Sequence, residues 1–275
     1  MKKIVMTLAI VPMLLMAISP QEIARNSYLE QILKRGELRV GLNAGYAPFE
    51  MVAKDGSIIG FDIDLVKLMA KEMGVKLKIV NTDWDGIIPA LNTGKFDIIA
   101  SGMTITLKRA LAVNFSDPYF KTGQAILVNL KGKAAHIKSY KDLGDGSGYT
   151  IAVQTGTTGD FAATKMFPKA KFKRYEKEVE AAMAVTQGKA DLMVFDQPFL
   201  AIWAGRHRKQ VRAILEPFTY EYFGFAIRKG DVDFLRWINE FIFQIKHDGP
   251  PGQTTYDKLF KKWFVDMPWL EKVKE

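Results

Sequence analysis

Asp62–Ser101, "DIDLVKLMAKEMGVKLKIVNTDWDGIIPALNTGKFDIIAS", decides the fold class. "DIDLVKLMAKEMG" carries helical apolar spacing and stops at Gly74, a residue suited to the left-handed turn that ends helices. "LKIVNT" (77–82) then reads as a strand, "GIIPALNTG" (86–94) as a short helix closed by Gly94, and "FDIIAS" (96–101) as a further strand. Strands separated by helices require crossover connections, so this stretch predicts an α/β chain with a mostly parallel sheet.

Outward from there the pattern continues in both directions. "LRVGL" (38–42) is a strand before the first helix, Thr106 opens a helix over "LKRALAV", and "GQAILVNL" (123–130) is a fourth strand. A second round follows: "YTIAVQ", "AKFKRY" and "ADLMVF" as strands, with "TGDFAATKMF", "EVEAAMAVTQG" and "QPFLAIWAG" as helices. "GKFDIIA" (94–100) and "GKADLMV" (188–194) occupy equivalent places in the two rounds. "EYFGFAIRKG" (221–230) reads as a strand returning to the first unit, with helices in "DVDFLRWINEFIFQIKHDG" and "TYDKLFKKWF" after it. Two lobes are expected, one from residues 25–126 plus 224–275 and one from 127–223. The crossings are placed near Gln124–Leu130 and Glu221–Ile227.

Composition bounds the function. The chain has 275 residues, 48% hydrophobic and 25% charged, with no cysteine, which excludes disulfides, thiolate nucleophiles and cysteine-ligated metals. The net charge of +9 is scattered among acidic residues, with no basic arm, so no nucleic-acid partner is expected. "MKK" followed by the apolar "IVMTLAIVPMLLMAI" reads as a secretory leader over residues 1–24, uncleaved anchor being the alternative. His136, His207 and His247 lie far apart in polar contexts and form no metal-spaced pair. No nucleophile motif occurs, and neither catalytic residues, metal nor cofactor are expected.

Ligands of open α/β sheets sit beyond the carboxyl ends of the strands. That rule points to "NAGY" (43–46), "DWDG" (83–86), "SGMT" (101–104), "TGTT" (155–158) and Asp196. Arg109 sits in the first turn of its expected helix, where the dipole disfavours a cation, so a negative group is needed nearby. A forked guanidinium fits a carboxylate, and Ser101, Gly102 and Thr104 lie close in sequence; pairing with Asp117 or simple exposure are the alternatives. Asp196 precedes Pro198 and serves either as a helix cap or as acceptor for a ligand ammonium. Tyr46, Trp84 and Phe195 stand at strand ends as pocket walls or as ordinary packing.

Taken in order, "LRVGLNAGYAPFE", "IGFDIDLVKLMAKEMG", "TDWDGIIPALNTGKFDIIASGMTIT", "FSDPYF", "VQTGTTG" and "DLMVFDQP" resemble the solute-binding proteins of polar amino acid ABC transporters, bacterial extracellular solute-binding protein family 3. The resemblance runs from about Leu38 to Phe264. It implies a two-lobed periplasmic-binding-protein fold of type II, an exported monomer that closes around one amino acid, and an ABC transporter permease as partner. It further implies that Arg109 grips the α-carboxylate, with Gly102 and Thr104 on the α-groups. Thr158, with Thr157, would meet the carboxylate from the second lobe, Asp196 would take the α-ammonium, and Tyr46 and Trp84 would sandwich the side chain. Asn43 stands where basic- and glutamine-binding members often carry aspartate, and Gln154 and Phe195 add no charge. A neutral or polar ligand such as glutamine is therefore expected, a basic amino acid (Lys, Arg or His) being the alternative unless Glu50 or Asp85 points inward. Cyclohexadienyl dehydratases resemble the same pattern, but Gly159 stands where they carry an acid, with Asp160 one residue away.

Overall fold

The computed structural model describes residues 27–273. The leader expected over residues 1–24 lies outside them. Among the described residues no helix is long and apolar enough to cross a membrane.

Two five-stranded sheets form the two lobes. The first runs Lys76–Asn81, Glu37–Leu42, Ile98–Ile99, Ala226–Ile227, Asn114–Phe115. The second runs Lys171–Tyr175, Thr150–Gln154, Leu192–Asp196, Gln124–Asn129, Val211–Ile214. In each sheet four strands point one way and one opposes them: Ala226–Ile227 in the first and Gln124–Asn129 in the second. The opposed strand is in both cases the one that arrives from the other lobe. A chain that crosses at the carboxyl ends of a parallel sheet enters it running backwards.

Local sequence explains the elements. Phe61–Glu72 buries Phe61, Leu65, Val66 and Met69 on one face and carries Asp62 and Asp64 in its first turn, where acids favour the dipole. Leu192–Asp196 is buried at every position, as expected of an interior strand covered on both faces. Gly74 follows that first helix in the left-handed region, as its sequence position predicts.

Several expectations need correction. Gln124–Leu130 is not a crossing: Gln124–Asn129 is buried throughout and pairs inside the second sheet, as a continuous apolar run should. The crossing strands are Phe120–Thr122 and Glu221–Phe223, which pair with each other. Both alternate buried, exposed, buried, the pattern of a ribbon with one face in solvent. "EYFGFAIRKG" therefore splits at Gly224 into a crossing strand and a sheet strand. The helix after Thr106 is one turn, Leu107–Ala110, capped by the Thr106 hydroxyl accepting from the Arg109 amide. "FDIIAS" shortens to Ile98–Ile99. Helix Tyr28–Arg35 and strand Val211–Ile214 are additions to the reading from sequence.

The largest core lies under the crossing. Phe49 is fully buried and meets Phe120 at 4.9 Å, Phe223 at 5.2 Å and Phe264 at 5.4 Å, ring centre to ring centre. Rings contributed by both crossing strands thus fix the lobe-to-lobe joint. Phe49→Ala is expected to cost about 3–5 kcal/mol, from lost burial plus an unfilled cavity. Urea unfolding measures this, and a cost below about 1 kcal/mol would show that the neighbouring rings collapse to fill the space.

Candidate ligand-binding site

The loops at the facing carboxyl ends of the two sheets line a small cavity. Twelve residues named above as site candidates line it: Asn43, Tyr46, Trp84, Ser101, Gly102, Thr104 and Arg109 from the first lobe, Gln154, Thr157, Thr158, Phe195 and Asp196 from the second. Glu50 and Glu178 complete the wall. Contacts cross between the lobes at several points. The Tyr46 hydroxyl donates to Asp196 at 2.9 Å, the Trp84 indole N–H to the Gly156 carbonyl at 3.4 Å, and the Thr104 and Thr158 hydroxyls lie 3.4 Å apart. The lobes are closed on one another.

Arg109 is the only cationic side chain in this wall. One Nη donates to the Thr104 carbonyl at 2.9 Å, and the guanidinium lies 5.1 Å from the Trp84 ring centre. Among the described residues it forms no ion pair with Asp117, whose amide instead donates to Asn239. Burial lowers the pKa of Arg109, while Glu221 and Asp196 act in the opposite direction. The one-turn helix has little macrodipole, so nearby carboxylates rather than helix geometry set the electrostatics around Arg109.

Asp196 occupies an N-cap position without capping: its side chain makes no bond to the helix that follows. Its carboxylate accepts from Tyr46 and, at 2.8 Å, from the Gln124 amide. Burial pushes its pKa up to about 8, reinforced by Glu221 and countered by Tyr46, Arg109 and Gln124. A negative charge here is costly until a cation arrives.

Ser101 and Gly102 build the floor. The Ser101 hydroxyl donates to Glu50 at 2.6 Å, and the Gly102 amide donates to Asp62 at 2.9 Å. Gly102 has φ +49°, and a Cβ there would stand 2.3 Å from the Tyr46 ring, so the position demands glycine. Glu50 is fully buried with its second carboxylate oxygen unpartnered. Its pKa is held well above the carboxylate range by burial first, then by Asp62. Burial lifts Glu178 to about 7.

Other expected residues are tied down locally. The Asn43 amide donates to the Thr82 carbonyl, the Gln154 amide to the Glu176 carbonyl, and the Thr157 hydroxyl to the Gln154 carbonyl while accepting from the Asp160 amide. Thr104 and Thr158 both donate to Glu221, at 2.9 and 2.7 Å. Asp160 points out of the cavity into an ion pair with Arg174, and Asp85 lies outside the wall of this cavity. Glu178 and Glu221 are absent from the reading by sequence. The strand-end rule would have found Glu178, which follows the carboxyl end of "AKFKRY", but Glu221 belongs to a crossing strand and has no such signal.

A two-lobed α/β fold closed over a small cavity with one guanidinium and several buried carboxylates defines a solute-binding protein. The model of the bacterial extracellular solute-binding proteins, family 3, matches residues 38–266, and the chain belongs to that family. It is 35% identical over 231 residues to a probable histidine-binding protein of Neisseria gonorrhoeae, covering 82% of each chain. It is also 35% identical over 216 residues to the ABC transporter glutamine-binding protein GlnH of Bacillus subtilis, covering 78% of this chain and 75% of that one. Among solved structures, a putative binding component of an ABC transporter from Wolinella succinogenes, complexed with lysine, superposes with a TM-score of 0.80. It is 51% identical, and the match covers 86% of this chain and all of that one. The fold is thus the two-lobed fold of amino acid-binding proteins.

Proposed function

We propose that this protein binds one amino acid with a cationic side chain outside the cytoplasm and delivers it, as a monomer exported by its leader, to an ABC transporter permease. The carrying observation is the charge of the enclosed wall: Glu50, Glu178 and Asp196 against Arg109 alone. Arg109 and Asp196 match the α-carboxylate and α-ammonium of a zwitterion. Two buried carboxylates remain over, and a lysine, arginine or histidine side chain neutralises them. The name of the Neisseria relative and the lysine in the Wolinella structure support the same reading.

Glutamine is the runner-up. Asn43 faces the cavity and the Bacillus relative carries glutamine in its name, but a neutral amide leaves Glu50 and Glu178 uncompensated. The dehydratase alternative finds no free acid at the position its resemblance points to, since Asp160 is held by Arg174 and Gly159 packs against Gln124. Calorimetric titration with the twenty amino acids tests the reading. Saturable binding of a basic amino acid is expected, and binding of a neutral one with no basic one taken overturns it.

Closure should be linked to pH. With the lobes apart, Asp196 and Glu178 face water and titrate near the ordinary value of about 4. In the closed form burial holds them at about 8 and about 7. Between these limits the closed form binds more protons, so ligand-free closure is favoured at low pH and lost as pH rises towards 8. X-ray scattering should show a smaller radius of gyration for the ligand-free protein at pH 5 than at pH 8.5. A radius independent of pH counts against the assignment.

A further inference from the structure

Glu178 opens the helix Glu178–Thr186 of the second lobe, yet its side chain lies against the first. A Cβ built on Gly45 would stand 2.3 Å from Glu178 Oε1, so the carboxylate rests in the space that glycine leaves empty. Gly45 in turn donates its amide to the Glu50 carbonyl, which places Glu178 against the turn that carries Glu50. Both residues line the same cavity, and both are almost entirely buried. Ser101 covers one oxygen of Glu50, and the other has no partner. The charged groups acting on Glu178 are Lys177 and Glu180 of its own segment; those acting on Glu50 are Asp62 and Glu178 itself. No cation of the first lobe's wall other than Arg109 stands by, and Arg109 acts on Asp196 and Glu221.

Resting on the basic-ligand reading above, we propose that Glu178 and Glu50 form a charge gate across the lobes, so that specificity is exerted at closure. Each lobe brings one carboxylate to the side-chain end of the cavity. A neutral amino acid engages Arg109 but leaves both carboxyls buried without a counter-charge, so closure near neutral pH requires them to take up protons, which opposes it. A cationic side chain bridges the pair, stabilises the closed form and is retained. A ligand shifts such an equilibrium only by its difference in affinity for the two states, and the cation supplies that difference here.

The test compares wild type, Glu178→Gln and Glu178→Asp, titrated with arginine, lysine and glutamine by calorimetry, with closure followed by X-ray scattering. Wild type should close with arginine or lysine and stay open with glutamine. Glu178→Gln should bind the basic amino acids at least about tenfold more weakly and should close with glutamine, while Glu178→Asp keeps the basic preference. Ligand-free melting of Glu178→Gln at or above wild type establishes that the fold is intact. If wild type closes with a basic ligand and Glu178→Gln retains the same preference, the gate is wrong and the ligand class stands. If wild type closes equally with glutamine, the gate is wrong. If wild type binds no basic amino acid, both fail.

Discussion

Arg109→Ala is expected to weaken binding of the preferred amino acid by about a hundredfold or more, corresponding to about 3 kcal/mol. The side chain is fixed before ligand arrives, by the Thr104 carbonyl on one side and the Trp84 ring on another, so little ordering opposes its use. It is the only cation in the wall, and its removal leaves an α-carboxylate entering a cavity whose other charged groups are all acidic. The loss therefore combines a charge-assisted hydrogen bond with uncompensated repulsion. Calorimetry decides the point, and an affinity within about threefold of wild type would remove Arg109 from the site.

The second large effect is expected at Asp196. Asp196→Asn keeps the shape of the side chain and an oxygen to accept from Tyr46 or Gln124, but removes the charge that pairs with an α-ammonium. Binding should fall by about thirty- to a hundredfold, in the range of a lost buried charge pair. Because the side chain does not cap the helix Gln197–Arg206, ligand-free stability should hold or rise as a desolvated carboxylate is neutralised. A large drop in melting temperature with unchanged affinity would restore the capping role and dismiss the ammonium site.

The two residues show how much of the site was legible. Arg109 stood out because its type was wrong for its place, at the start of a helix. Arg109 does line the cavity, although the helix is one turn with little dipole. Asp196 had two readings that no local pattern separates, since a carboxylate before a proline caps a helix or faces a ligand equally well. The structure removes the capping reading, since the side chain makes no bond to the following helix and instead meets Tyr46 from the other lobe. Asp160 and Glu178 make the same contrast. Asp160 lay just past a loop already suspected, in the first turn of the helix Thr158–Met166, and is consumed by Arg174, whereas Glu178 looked like an ordinary helix residue and reaches the cavity through the gap at Gly45.

The first crossing was misplaced for a related reason, while the second, expected near Glu221–Ile227, contains the observed strand Glu221–Phe223. Gln124–Asn129 and Phe120–Thr122 are adjacent strands, and hydropathy alone assigns neither to a lobe. The alternation of Phe120–Thr122 marks a half-exposed ribbon, but the partner that makes it a crossing, Glu221–Phe223, is a hundred residues away in sequence.

The sequence by itself determined the α/β class, the two rounds of strands and helices, and the loops that would carry a ligand, because periodicity, helix stops and strand ends are local properties of the chain. The tertiary structure alone decided which carboxylates share one enclosed space with Arg109. Charge balance in a desolvated site depends on distance and burial, and those are set when residues far apart in the chain meet across the closed lobes.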